Sequence, residues 1–307
     1  VRFGFALPQI GSPAGPEALV MVAKRAEDLG FDSLWVLDRL LWPVNPRAQY
    51  PIGDGSLPVQ YKNVLDPVET LTFTAAHTSR IALATGVLNL PWYNPVLLAR
   101  RLTTLDILSG GRLRVGFGIG WSPDEYEAAG ATWQDRGKRA DESIELLKKV
   151  WTTDPVEFHG KHYRIPKSFI GPKPVQKPHP PIYMAAFTPS AMKRVAAEAD
   201  AWLPVGIPLS EVGAMFDGIK NMARETGRDP SKLELIVTAG VEIHKTPIEK
   251  ERTEFTGTLE QIGEDFATAR KLGAAEIAIY MQFLPPGEAA KDLIARMEDL
   301  WPIVKQV

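Results

Sequence analysis

The sequence predicts a closed parallel barrel of eight β/α units, a (β/α)8 TIM barrel with insertions after strands 2 and 4 and before strand 5. Three observations predict it. Short apolar runs alternate with helical patterns along the whole chain. The runs are apolar on both faces, as in strands covered by helices on either side. The unit recurs eight times, which closes a barrel rather than leaving an open, doubly wound sheet. A dinucleotide-binding sheet would instead carry its glycines in the first βα turn, with an acidic residue about twenty positions on. Here Gly116, Gly118 and Gly120 lie mid-chain in a G-x-G-x-G spacing, and the residue twenty beyond Gly116 is Arg136.

Phe3 to Leu7 reads as the first strand, ended by Pro8. From Pro16 a helix follows, with Leu19, Val22, Ala26 and Leu29 three or four apart and Gly30 at the C-cap place. Leu34 to Leu37 is the second strand and ends at Asp38. A helix over 67–78 leads into Ile81–Ala84. A helix over 95–108 is stopped by Ser109-Gly110-Gly111 and leads into Leu113–Phe117. A helix over 137–151 precedes Ile182–Met184 after an insertion. Helices over 189–199, 209–226 and 258–272 lead into strands at 201–205, 233–241 and 277–280, and a helix over 287–300 closes the chain. Leu29-Gly30 and Leu272-Gly273 mark the same helix end before a strand, an echo of the repeated unit.

Three stretches exceed ordinary connections. Those over 39–66 and 121–134 leave the C-terminal ends of strands 2 and 4, where a barrel carries its active site, and read as walls of a substrate pocket. The third, 152–181, begins with a hairpin over Val156–Ile165 turning at Gly160 and continues rich in proline. No linker divides the chain, so residues 1–307 are expected to form one domain.

Composition narrows the function. A net charge of -2 gives no footprint of nucleic acid or membrane binding. No cysteine is present, which removes disulfides, thiolate catalysis and Cys-ligated metal. No apolar stretch is long enough to span a bilayer and no signal peptide precedes the first strand, so a cytoplasmic location is expected. The five histidines, His77, His159, His162, His179 and His244, form no metal-ligand motif. Nucleophile-elbow and Walker motifs are missing as well. Such a chain delegates its chemistry to a cofactor and takes a small-molecule substrate.

Candidates therefore come from strand ends. Asp38, next to Arg39 and Trp42, either acts in the site or caps the following turn. Gly86-Val87, with Asn89 just beyond, ends strand 3. Gly118 and Gly120 end strand 4, where glycine admits a second backbone or a flat ligand; Trp121, Asp124 and Glu125 follow. Trp121 either lines the pocket or packs under a loop. Ala185-Ala186-Phe187-Thr188 joins strand 5 to its helix, where backbone N–H groups suit an anion and Thr188 suits an ordinary N-cap.

The run from Asn94-Pro95 through Leu98-Ala99-Arg100-Arg101-Leu102-Thr103-Thr104-Leu105-Asp106-Ile107-Leu108-Ser109-Gly110-Gly111-Arg112-Leu113 resembles the signature of the bacterial luciferase-like superfamily. Val115 to Tyr126 continues it, and Leu29 to Val36 with Asp38 also match. These are flavin- or deazaflavin-dependent TIM-barrel oxidoreductases. The chain is most similar to the branch dependent on coenzyme F420. The resemblance implies a ring across the C-terminal mouth, a non-proline cis peptide at Gly86-Val87 beneath it, and phosphate contacts from Ala185, Ala186, Phe187 and Thr188. It also implies cofactor contacts at Asp38, Asn89, Gly118 and Gly120, and favours a homodimer. Two departures stand out: many F420 members carry His after the strand-2 aspartate, where this chain has Arg39. Some place a catalytic glutamate after the second glycine of strand 4, where this chain has Trp121.

The expected activity is hydride transfer between F420 and a small organic substrate. Asp38, Arg39, Trp42, Trp121 and Glu125 are the candidates for substrate or proton handling. The alternative is an FMN-dependent monooxygenase served by a separate reductase. A second alternative is a flavin-binding protein without catalysis.

Overall fold

Eight parallel strands close into a barrel in the computed structural model, which describes residues 1–285 and 287–307. They are β1 (Arg2–Ala6), β2 (Ser33–Val36), β3 (Ala82–Thr85), β4 (Leu113–Gly118), β5 (Ile182–Met184), β6 (Ala201–Trp202), β7 (Glu234–Gly240) and β8 (Ala274–Tyr280). Each pairs with the next, and β8 returns to β1 with Phe3 opposite Ile277. A short extension at Leu88–Asn89 runs beside the end of β4. The helices are α1 (Pro16–Leu29), α2 (Pro67–Ala75), α3 (Pro95–Leu108), α4 (Pro123–Ala128), α5 (Arg136–Thr152), α6 (Pro189–Glu198), α7 (Leu209–Glu225), α8 (Leu259–Lys271) and α9 (Ala290–Val304). Among the described residues, none is long and apolar enough to cross a membrane.

Several boundaries differ from the sequence reading for identifiable reasons. Helix α2 stops at Ala75 rather than 78, because the Arg112 guanidinium takes the carbonyls of Ala75, Thr78 and Ile81 as acceptors. Strand β6 ends at Trp202, two residues before Pro204, which lacks a ladder donor. Strand β8 starts earlier than expected because Ala274 pairs with Leu235 of β7. The 121–134 stretch is not all loop; it contains α4. The hairpin is present, Val156–His159 against Arg164–Ser168, with the Gly160 N–H donating to the Tyr163 carbonyl.

Inward-facing residues fill the barrel in layers, as alternation along each strand requires. The middle layer holds Ala6, Trp35, Ala84, Tyr183, Leu203, Ile236 and Ala278. Trp35 stacks on Tyr183 with ring centroids 6.3 Å apart, and the other strands supply small residues that accommodate these rings. A charged layer lies below. Fully buried Glu276 receives Arg2 Nε at 3.2 Å, Arg114 Nη1 at 2.7 Å and Trp35 Nε1 at 3.1 Å, and also the Ser33 hydroxyl. A depression of about 540 Å³ at this end is lined by Arg2, Arg112, Arg114, Gln176, Tyr183 and Glu234 among others. Gln176 brings the third insertion here by donating to Asp106 and to the Leu113 carbonyl, so that insertion sits at the base.

The first insertion goes to the opposite end and crosses it. Leaving β2, it carries Ile52 to Gly206 beyond β6, where a Cβ on the glycine would lie 3.2 Å from Ile52 Cγ1. Strand β6 is four strands from β2 in either direction round the barrel. The mouth is therefore roofed.

Candidate active site

The end of β3 lies under this roof. The Gly86-Val87 peptide is cis, as the resemblance implies. A Cβ at Gly86 would stand 2.5 Å from Tyr280 Oη and 3.0 Å from Trp35 Cε3. One at Gly118 would meet Val87 Cγ2 at 2.6 Å, and one at Gly116 would meet the Thr85 carbonyl oxygen at 2.0 Å. The glycines of β4 thus admit the neighbouring strand and Val87. Gly120, at φ +70, turns the chain away toward Trp121.

Asp38 is buried, and it does not cap its own turn. It accepts the Asn89 N–H at 3.0 Å and the Tyr93 hydroxyl at 2.9 Å. The Asn89 side-chain amide lies 3.4 Å from the Asp38 carbonyl oxygen. Burial raises the Asp38 carboxyl to about 6, and these two hydrogen bonds to its charged form only partly offset that. Burial likewise pushes the Tyr93 phenol up, and the Asp38 carboxylate reinforces it. This phenol therefore stays protonated and donates.

Arg39 enters the next layer. Its side chain is 7% exposed, and Nη2 is 3.1 Å from Oε2 of Glu125, which is fully buried. The guanidinium lies over two rings, 4.8 Å from the Trp121 centroid and 5.3 Å from that of Tyr61. Glu125 Oε1 accepts the Leu40 N–H at 2.9 Å. Burial raises the Glu125 carboxyl, opposed first by Arg39. Trp121 packs edge-on against Tyr50, whose hydroxyl is 3.1 Å from that of Tyr61. Outside this core, Arg47 bonds Asp124 and the Pro123 carbonyl and pairs with Glu127. The two insertions that the sequence marks as pocket walls are thus tied together through α4.

Asp38, Gly86, Val87, Asn89, Gly118 and Gly120 are brought together in one cluster. Arg39, Trp121 and Glu125 form a second beside it. Trp42 stands behind the second cluster: it packs with Ile10, Leu37 and Tyr61, and the Lys62 ammonium covers its ring at 4.3 Å. Ala185 to Thr188 lie across the barrel beyond β5. There the Thr188 hydroxyl accepts the Ala191 N–H as an N-cap, and Phe187 is exposed.

Sequence reasoning missed Tyr93, Tyr280 and Gln282, and it placed Tyr50 and Tyr61 only as members of the 39–66 pocket wall. Among the described residues, Tyr280 Oη and Gln282 Oε1 are buried without a hydrogen-bond partner. The parity of Glu276, Ala278 and Tyr280 along β8 is the signal that points Tyr280 inward.

Known proteins agree with this architecture. The monooxygenase RslO1 from Streptomyces bottropensis superposes with a TM-score of 0.83 at 22% identity, covering 100% of this chain and 99% of that one. An uncharacterized protein of Mycobacterium tuberculosis is 33% identical over 226 residues, 72% of this chain and 77% of its own. An F420-dependent glucose-6-phosphate dehydrogenase from Amycolatopsis mediterranei is 32% identical over 62% of this chain and 53% of its own. An FMNH(2)-dependent dimethylsulfone monooxygenase from Pseudomonas putida is 33% identical over 50% of this chain and 42% of its own. The model for luciferase-like monooxygenases matches residues 3–253. A roofed (β/α)8 barrel with its buried polar cluster at the C-terminal mouth, matched over most of its length by that model, belongs to the luciferase-like monooxygenase family, whose members are F420- or FMN-dependent oxidoreductases and monooxygenases.

Proposed function

We propose that this chain is a coenzyme F420-dependent oxidoreductase that exchanges a hydride with a small organic substrate at the C-terminal mouth. The observation that carries the choice of F420 is the environment of Gly86. Tyr280 Oη and Trp35 leave no room for any side chain there, and glycine at this place is the mark by which the chain resembles F420 members rather than FMN members. The F420-dependent relative from Amycolatopsis mediterranei supports the same choice.

The residues present fit such a group. The unpartnered Tyr280 hydroxyl and Gln282 amide oxygen suit a flat ring with polar edges. The first turn of α6, entered through Ala185, Ala186, Phe187 and Thr188, suits an anionic tail. When bound, F420 supplies the hydride chemistry. The protein orients the reactants and keeps water out under the 39–66 roof. Asp38 holds or releases a proton near neutrality while Tyr93 and Asn89 fix its position. The reading also carries a homodimer.

The relative from Pseudomonas putida favours a second reading, an FMN-dependent monooxygenase supplied by a separate reductase. Equilibrium titration of the purified protein with F420 and with FMN separates the two. Tighter F420 binding is the expected result. Tight FMN binding without F420 binding, with oxygen uptake coupled to turnover, overturns the first reading in favour of the second.

A further inference from the structure

We infer that Arg39 is a specificity residue that recognises a neutral carbonyl oxygen on the substrate, and that Glu125, Tyr61 and Trp121 hold its guanidinium in place for that purpose. The inference rests on reading the mouth as the active site.

A guanidinium carries five N–H donors and no acceptor. Arg112 shows what a structural arginine looks like: it donates to the carbonyls of Ser109, Ile81, Ala75 and Thr78 and to the Thr78 hydroxyl. The Arg39 side chain, 7% exposed, is far less satisfied. Glu125 Oε2 lies near Nη2 but off its N–H directions, so that contact is an ion pair without a hydrogen bond. Two aromatic rings cover the guanidinium and supply no acceptor in its plane. Among the described residues, Nε has no acceptor and Nη2 has only the ion-pair contact with Glu125. These two donors form one edge of the guanidinium, and both can converge on a single carbonyl oxygen as a bifurcated pair.

Charge decides which acceptor. One cation, Arg39, already faces one carboxylate, Glu125, and Asp38 adds a second negative charge when ionised. A substrate carboxylate or phosphate would therefore enter a site with no positive charge to spare. A ketone, aldehyde or enone oxygen uses the spare donors without adding charge.

The test uses a matched probe set, cyclohexanone, cyclohexanol, cyclohexanecarboxylate and methylcyclohexane, titrated by ligand-observed NMR with and without saturating F420. The wild-type protein is expected to bind cyclohexanone about tenfold more tightly than methylcyclohexane or the carboxylate. Arg39→Met should bring that ratio to about one while methylcyclohexane affinity stays unchanged. A merely structural Arg39 would lower all affinities together and leave the ratio alone. That outcome overturns the inference, as do preference for the carboxylate and absence of cyclohexanone binding to the wild type. Should Arg39→Met not fold, Arg39→Lys decides: it keeps the charge but loses the paired donor edge. A several-fold drop in ketone preference supports the inference, and an unchanged preference overturns it. The cofactor reading fails separately: Arg39-dependent ketone selectivity with neither F420 nor FMN bound would sink that reading and leave this one standing.

Discussion

At the base of the barrel Glu276 is sealed from water, and arginine, serine and indole donors converge on its oxygens. At the mouth Glu125 is fully buried and the Arg39 side chain nearly so, yet Nε, Nη2 and Oε2 find no hydrogen-bond partner among the described residues. Both ends bury charge at a desolvation cost. The base offsets that cost with converging hydrogen bonds, the mouth with one ion pair, the Leu40 N–H and two ring faces. The satisfied ion at the base ties β1, β4 and β8 together, and we assign the spare donors at the mouth to a substrate. This matches the division of a (β/α)8 barrel into a stabilising N-terminal face and a chemical C-terminal face.

The sharpest way to break the comparison is Glu276→Gln. It leaves Arg2 and Arg114 facing an uncharged partner and should cost about 3–5 kcal/mol in denaturant unfolding, with cofactor affinity of the folded protein unchanged. A large loss of cofactor affinity would make the base part of the site. Next is Asp38→Asn. Burial lifts this carboxyl from an ordinary 3.8 to about 6. Its contribution to stability is therefore fully present below the unfolded value and is lost as pH rises through about 6. The wild type should lose about 2–3 kcal/mol relative to Asp38→Asn between acid and mildly alkaline pH. Parallel stability curves for the two proteins would mean that Asp38 is not desolvated as described.

Gly116→Ala places a methyl against the Thr85 carbonyl and must push β3 from β4. A destabilisation of about 1–3 kcal/mol is expected in thermal or urea unfolding, and a neutral result would show that the glycine cradle is slack. The smallest effect belongs to Arg47→Ala. Its pairs with Asp124 and Glu127 are exposed, so unfolding should change by less than about 1 kcal/mol. A larger change would move the tie between the roof and α4 from the buried Arg39–Glu125 pair to the surface.

Much of the fold was legible because each strand is a local apolar run and each helix a local period. The strand ends named Asp38, Gly86 and Gly118 for the same reason. What joins distant segments was not legible. Glu125 bonds the Leu40 N–H across 85 residues, and no spacing rule connects them. The reach of Ile52 to Gly206 depends on a loop path that periodicity does not describe. Tyr93 sits just past a short 3-10 turn, outside any strand, so the strand-end argument passed over it. The glycines of β4 were found for the right property, close approach, while the contacts they make are with Thr85 and Val87.

A crystal structure of the protein with bound F420 decides whether the mouth is the active site. The ring is expected at the C-terminal mouth, over Gly86-Val87 and within reach of Asp38, Tyr280 and Gln282. A ring seated instead in the depression beside Arg2 and Arg114, with the mouth unchanged, would contradict it.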